Sequence, residues 1–277
     1  PELVLLQWSL MTSTTDLLAT AAPGHAATAI GWMINDNADL APTARFCCGS
    51  TSADNQATGA AGGMLRNDAV VTLVLSNGTS GGQLDGLTFD TDGFTLETDV
   101  QMTSSIRIHY AAFKKDSDIT NIAAGREVPP NVTGNVGYTG PGFQPTFVLC
   151  AGVRGTTVNT AADHGVFSIG AFTSATKSGV ASIVSLDADV TMFTSAYARA
   201  GECLAFPLPA ATNPQTLESI AVPVSLDATG FNLNWTKAVN PNASQFMWLA
   251  IKGGQWDVYN ALTQVDLVTE TNIVNWF

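Results

Sequence analysis

The sequence predicts an all-β protein built as two tandem, internally duplicated antiparallel β-sandwiches of jelly-roll-like form. Three observations carry that prediction. Apolar and polar residues alternate with period two over short runs. Turn-forming residues such as N-G-T-S-G-G (77–82) separate the runs. Finally, four landmarks recur in the same order along the chain.

The elements follow in order. The opening P-E-L-V-L-L-Q-W-S-L is apolar, lacks a basic flank and is too short to span a bilayer, so it reads as a strand. Helical periodicity is weak and confined to stretches such as residues 13–22. P-G-H-A-A-T-A-I-G-W-M-I from Pro23 returns as P-G-F-Q-P-T-F-V-L-C-A-G from Pro141, and A-R-F-C-C-G-S returns as G-V-F-S-I-G-A with Phe46 opposite Phe167. F-D-T-D-G-F-T-L-E returns as L-D-A-T-G-F-N-L-N with Phe94 opposite Phe231, and Y-A-A-F-K from Tyr110 returns as W-L-A-I-K from Trp248. The boundary falls at R-E-V-P-P-N, because Pro129-Pro130 cannot continue a ladder. Residues 1–128 then hold an N-terminal strand and the first sandwich, and 129–277 the second, with residues 201–215 as an inserted loop.

The turn that both halves share contains Asp90, Gly93 and Phe94 in one copy and Asp227, Gly230 and Phe231 in the other. Asp90, Asp92 and Gly93 resemble the opening of a calcium loop. The second copy replaces Asp92 with Thr229 and keeps Gly-Phe. The shared requirement is therefore a structural turn: a short polar side chain that bonds the backbone, a glycine for positive φ, and an aromatic entering the core.

Composition narrows the function. With 277 residues, net charge −12 and only 12% charged residues beside 45% hydrophobic ones, and a mean hydropathy of +0.18, the surface consists of small neutral groups, as in a chain that hides its outside in an assembly. Lys and Arg are scattered, which argues against nucleic-acid or membrane partners. Cys47, Cys48, Cys150 and Cys203 have no CxxC spacing and read as buried thiols. The start without Met suggests a mature, trimmed or partly ordered product.

Little in the sequence points to catalysis, a metal or a cofactor. His25 becomes Phe143 and His109 becomes Met247 in the second copy, an exchange metal ligands would not tolerate. No G-x-S-x-G elbow has a partner His and Asp in sensible order. Glu97 and Asp99 share a strand face at glycosidase-like separation, yet their counterparts are Asn234 and Thr236. Trp235 and Trp248 fall on core faces, leaving Trp8 and Trp256 as candidate stacking platforms for a glycan.

The copies differ where an assembly contact would sit. The strand face that is polar at Arg107 and His109 becomes apolar at Met247, Leu249 and Ile251. These three, with Leu204 and Phe206 from the inserted loop, are the candidate assembly contacts. F-M-W-L-A-I (246–251) is apolar on both faces, so it is either a central strand covered twice or one whose outer face meets a partner.

P-G-F-Q-P-T-F-V-L, L-D-A-T-G-F-N-L-N-W and F-M-W-L-A-I-K-G-G together resemble a tandem repeat of virion structural proteins of tailed bacteriophages. The resemblance covers nearly all of 140–256 and, more faintly, 23–115. The first copy departs from it, with G-H-A-A for Gly-Phe-Gln-Pro and K-K-D for Lys-Gly-Gly. It implies a non-enzymatic particle component located in the virion: a capsid decoration, head fibre, tail fibre or tip. Such a component would self-associate, by family analogy as a trimer, and would contact other virion proteins. A carbohydrate-binding adhesin that contacts a host surface glycan, or a glycoside hydrolase, are the alternatives.

Overall fold

The computed structural model describes residues 1–9, 25–35, 41–53, 60–75, 79–103, 106–187, 194–210, 216–239 and 243–258. They form nineteen strands, every paired edge antiparallel, and no α-helix. The chain is all-β, in packed antiparallel sheets. The weakly periodic stretch 13–22 lies outside the described residues.

In the first half, β1 (Leu3–Ser9), β2 (His25–Ile34), β3 (Ala44–Ala53), β4 (Ala60–Arg66) and β8 (Arg107–Phe113) form one sheet, and β5 (Val71–Val74), β6 (Ser80–Phe89) and β7 (Phe94–Val100) form a second. The other half has a six-stranded sheet of β9 (Ile119–Glu127), β11 (Phe147–Arg154), β13 (Gly165–Phe172), β14 (Ser178–Ser185), β15 (Thr194–Ala200) and β19 (Ser244–Gly253). Opposite it lie β10 (Gly134–Tyr138), β16 (Leu204–Pro207), β17 (Leu217–Asp227) and β18 (Gly230–Ala238). The short β12 (Ala162–Asp163) crosses over to pair with β4.

Alternation along the strands assigns each side chain to a layer. Val4, Leu6 and Trp8 of β1 enter the core of the first sandwich with Met33, Cys47, Val71 and Phe89. Phe231, Leu233 and Trp235 of β18 meet Phe246, Trp248 and Ala250 of β19 in the second. The residues between these on the large sheets face the other way. Leu3, Trp32, Ile34, Cys48 and Leu65 from one sheet pack on Ala151, Val153, Phe167, Met247, Leu249 and Ile251 from the other. The two large sheets thus stack face to face and give the molecule four layers. Aliphatic runs without polar alternation are what a strand covered on both faces requires.

Polar contacts reinforce this seam. Asn67 N–H donates to Asn159 Oδ1 at 3.0 Å, and Asn159 Nδ2 returns a bond to Asn67 Oδ1 at 2.9 Å. Ala61 N–H donates to Asp187 Oδ1 at 3.2 Å, while Asp187 N–H donates to His164 Nδ1 at 3.0 Å. That last bond needs a neutral imidazole, and burial followed by the Arg154 charge lowers the His164 pKa below its usual 6.5. The unfolded chain therefore takes up this proton at higher pH than the folded one, so stability is intact above pH 6.5 and declines as pH falls below it. Urea midpoints measured from pH 8 to pH 5 should fall over that window, and less so in His164→Asn.

Several expectations need correcting. The division at residue 128 puts β9 in the first half, but β9 pairs with β19 along its length, so the halves part between β8 and β9. Leu204 and Phe206 are not part of an added loop. They lie on β16, which pairs with β17 in the register that joins β5 to β6: Val71↔Leu84 and Thr72↔Gln83 match Leu204↔Ala221 and Ala205↔Ile220. Among the described residues β10 and β15, besides the short β12, have no counterpart in the first half; residues 211–215 lie outside the described set.

The outermost landmarks also fail to superpose. Tyr110 sits on β8, which pairs with β1 and runs parallel to β2, whereas Trp248 sits on β19, which pairs directly and antiparallel with β11. The slot beside β2 that β19 would occupy is filled by β1. Ile30 and Val148, aligned through Pro23 and Pro141, face different layers: the first packs in the seam, the second in the core.

Candidate assembly surface

The turn hairpins do correspond, residue for residue. Gln83↔Val100, Leu84↔Thr98, Asp85↔Glu97, Gly86↔Leu96, Thr88↔Thr95 and Phe89↔Phe94 join β6 to β7. Adding 137 to each number gives the β17–β18 ladder, from Ile220↔Lys237 to Leu226↔Phe231. Both register shifts coincide as well: one skips Asp99 in the first ladder and Thr236 in the second, and the other extrudes Leu87 and Val224, which are both exposed. A bulge is a specific local solution to strand curvature, so two at matching places define one shared sheet design.

The turn itself is held by hydrogen bonds. Asp90 accepts from Thr88 Oγ1 at 2.9 Å and Thr95 Oγ1 at 2.8 Å, and its N–H donates to the Gly93 carbonyl at 2.9 Å. Among the described residues no group of three or more His, Cys, Asp or Glu could hold a metal ion. The expectation of positive φ fails at both turn glycines, since neither Gly93 nor Gly230 lies in the left-handed region. Gly230 instead permits a close approach: a Cβ there would fall onto the carbonyl oxygen of Tyr138 on β10. At Gly93 a Cβ would meet nothing within 4 Å.

That contrast marks the difference between the two small sheets. β10 lies along the outer edge of β18, with Asn135↔Asn234, Val136↔Leu233 and Tyr138↔Phe231. Tyr138 stacks on Phe231 at 5.2 Å and receives a bond from Trp235 Nε1 at 3.0 Å. On the first half no described strand lies beyond β7. Phe94 and Leu96 are consequently half-buried where Phe231 and Leu233 are fully buried. Tyr110 from β8 stands edge-on to Phe94 at 5.0 Å and remains 66% exposed. Among the described residues, then, nothing covers the side of the first sandwich formed by β7 and β8, and Val100 is exposed at its rim.

The outer face of this open side is acidic. Asp85 and Glu97 are directly opposed across the ladder, and Asp99 accepts a hydrogen bond from Gln83. Burial raises the Asp85 pKa; the Arg45 guanidinium, 3.1 Å away, and the Gly86 N–H oppose that rise, while Asp99 adds to it.

The remaining predicted residues sit elsewhere. Met247, Leu249 and Ile251 are buried in the seam, so the partner covering their face is the chain's own first half. Leu204 and Phe206 are fully buried in the second core. None of these five is open to another subunit. Trp8 is a core residue whose Nε1 donates to the Thr72 carbonyl at 2.9 Å, and Trp256 stacks on Phe147 at 4.7 Å. The four cysteines are buried and free. A groove of about 380 Å³ beside β9, lined by Thr43, Lys115, Asn121, Pro141 and Phe143 among others, contains no carboxylate. This edge left no sign in the sequence because β7 alternates like any strand with one wet face. Comparisons with protein-family models, curated proteins and solved structures find no match to this chain.

Proposed function

We propose that this chain is a non-enzymatic structural component of a tailed-bacteriophage virion, a decoration, fibre or tip protein that works by assembling with other protein subunits. The observation that carries the reading is the outer edge of β7, which no described strand covers and where Phe94 and Leu96 are half-buried, whereas β10 covers the matching edge of β18. An uncovered edge invites pairing with another chain, and soluble proteins normally blunt it. The weakly charged composition and the repeat resemblance favour the same reading. A glycan-binding role loses support, since Trp8 is buried and Trp256 is packed on Phe147. Glu97 and Asp99 lie on an outer sheet face, and Asp99 is engaged by Gln83. Labelling purified particles with an antibody to this chain tests the role: regular decoration at one site is expected, and particles devoid of the chain would overturn it.

A further inference from the structure

We propose that Cys150 and Cys203 are the site of an inter-sheet disulfide, formed in the core of the second sandwich by exchange with a small-molecule disulfide, while Cys47 and Cys48 stay thiols. Cys150 lies on β11 of the large sheet, and Cys203 directly precedes β16 of the small sheet opposite. Both are fully buried in one core cluster with Phe172, Leu204 and Phe206.

Facing sheets pack about 10 Å apart, and a disulfide requires about 4.4–6.8 Å between Cα atoms, so such a bridge needs a local approach of the two sheets. Gly170 provides it. This glycine pairs directly with Cys150 across β11 and β13. A Cβ on it would fall onto the Cys203 carbonyl oxygen, with the carbonyl carbon 2.9 Å away. The Cβ atoms of directly opposed residues stand about 4.5–5.5 Å apart, so the Cys203 main chain rests on the large sheet within bridging reach of Cys150. The Cys203 N–H and Sγ both donate to the Ala221 carbonyl, at 2.9 Å and 3.5 Å, which fixes the residue there.

The first sandwich repeats the approach without the second thiol. A Cβ on Gly31 would fall onto the Val70 carbonyl oxygen, and Gly31 pairs directly with Cys47. Val70 N–H donates to the Leu84 carbonyl at 3.0 Å, the counterpart of the bond from Cys203 to Ala221. Valine thus stands in the place of Cys203, and it cannot bridge to Cys47.

Burial, and then the adjacent Cys150 thiol, hold the Cys203 pKa well above its usual value, so in the closed core this thiol is protonated and unreactive. The exchange therefore runs when the core opens. One cysteine thiolate attacks a sulfur of oxidised glutathione and one glutathione leaves; the other attacks the protein sulfur of that mixed disulfide, the protein S–S bond forms and the second glutathione leaves. The two thiols lose two protons and two electrons, which oxidised glutathione takes up in becoming two glutathiones. Closing the long loop from Cys150 to Cys203 restricts the unfolded chain, so the second sandwich is firmer in an oxidising compartment than in a reducing one.

The test holds the full chain in oxidised glutathione with urea just below the unfolding midpoint, then removes both reagents. Expected are a mass lower by two hydrogens, two of the four thiols open to alkylation after denaturation, and a proteolytic map that joins Cys150 to Cys203. The melting temperature should rise by about 5 °C or more and fall back when the bond is reduced. Cys203→Val, which copies Val70, should fold and gain neither the bond nor the rise. Retention of all four thiols, a bond that involves Cys47 or Cys48, or an oxidised chain that melts no higher than the reduced one would each overturn the proposal.

Discussion

Met247→Glu is expected to unfold the whole chain rather than dissociate an oligomer. Met247 is fully buried in the seam, between the two large sheets, where Leu3, Trp32 and Leu65 supply the opposing surface. Removing a buried methionine costs about 2–5 kcal/mol. A carboxylate left there without a cation adds about 3–5 kcal/mol or stays protonated at a similar cost. That total rivals the roughly 5–15 kcal/mol that holds a typical domain folded. Because the seam is shared, both sandwiches should lose their protection together in hydrogen exchange. Met247→Leu, which conserves volume, should cost less than about 1.5 kcal/mol. A soluble Met247→Glu protein with native urea resistance would mean that the sheets do not pack on one another.

Gly230→Ala and Gly93→Ala should differ sharply although the two residues hold the same place in matching hairpins. At Gly230 the new methyl collides with the Tyr138 carbonyl, so β10 must shift and the stacking of Tyr138 on Phe231 loosens. Overpacking against fixed backbone costs about 1–3 kcal/mol. At Gly93 the methyl enters open space, and the change should stay within about 0.5 kcal/mol of zero or be slightly stabilising. Urea unfolding of the two variants beside the parent measures both. Equal losses would show that the turn, and not the strand over it, decides the need for glycine.

What the sequence disclosed was local. The Asp-x-Gly-Phe turns and the alternation after Phe94 and Phe231 depend on neighbours a few residues away, and every pair of the β6–β7 ladder has its equivalent in β17–β18. The bulges at Leu87 and Val224 were hidden because they appear only when both strands are counted against each other. The exchange of β1 for the expected β8 was hidden for a related reason: strand direction within a sheet is set by contacts across tens of residues, and Y-A-A-F-K and W-L-A-I-K look alike whichever way they run. The apolar face at Met247, Leu249 and Ile251 announced a cover without saying whose. A pattern of side chains specifies that water is excluded, and the same pattern serves a second subunit or a second sheet of the same chain. The edge of β7, which no described strand covers, gave the weakest signal, since a strand's neighbours come from other segments of the chain.

The central claim is that the first sandwich's open side is where this chain joins its assembly. The most direct measurement is amide hydrogen exchange of β7 and β8 in the isolated chain and in intact particles. Amides at Phe94–Val100 and Arg107–Phe113 should exchange quickly in isolation and slow by about a hundredfold or more in the particle, while the seam strands β11 and β19 remain slow in both. Identical exchange of β7 and β8 in the two states would contradict the claim.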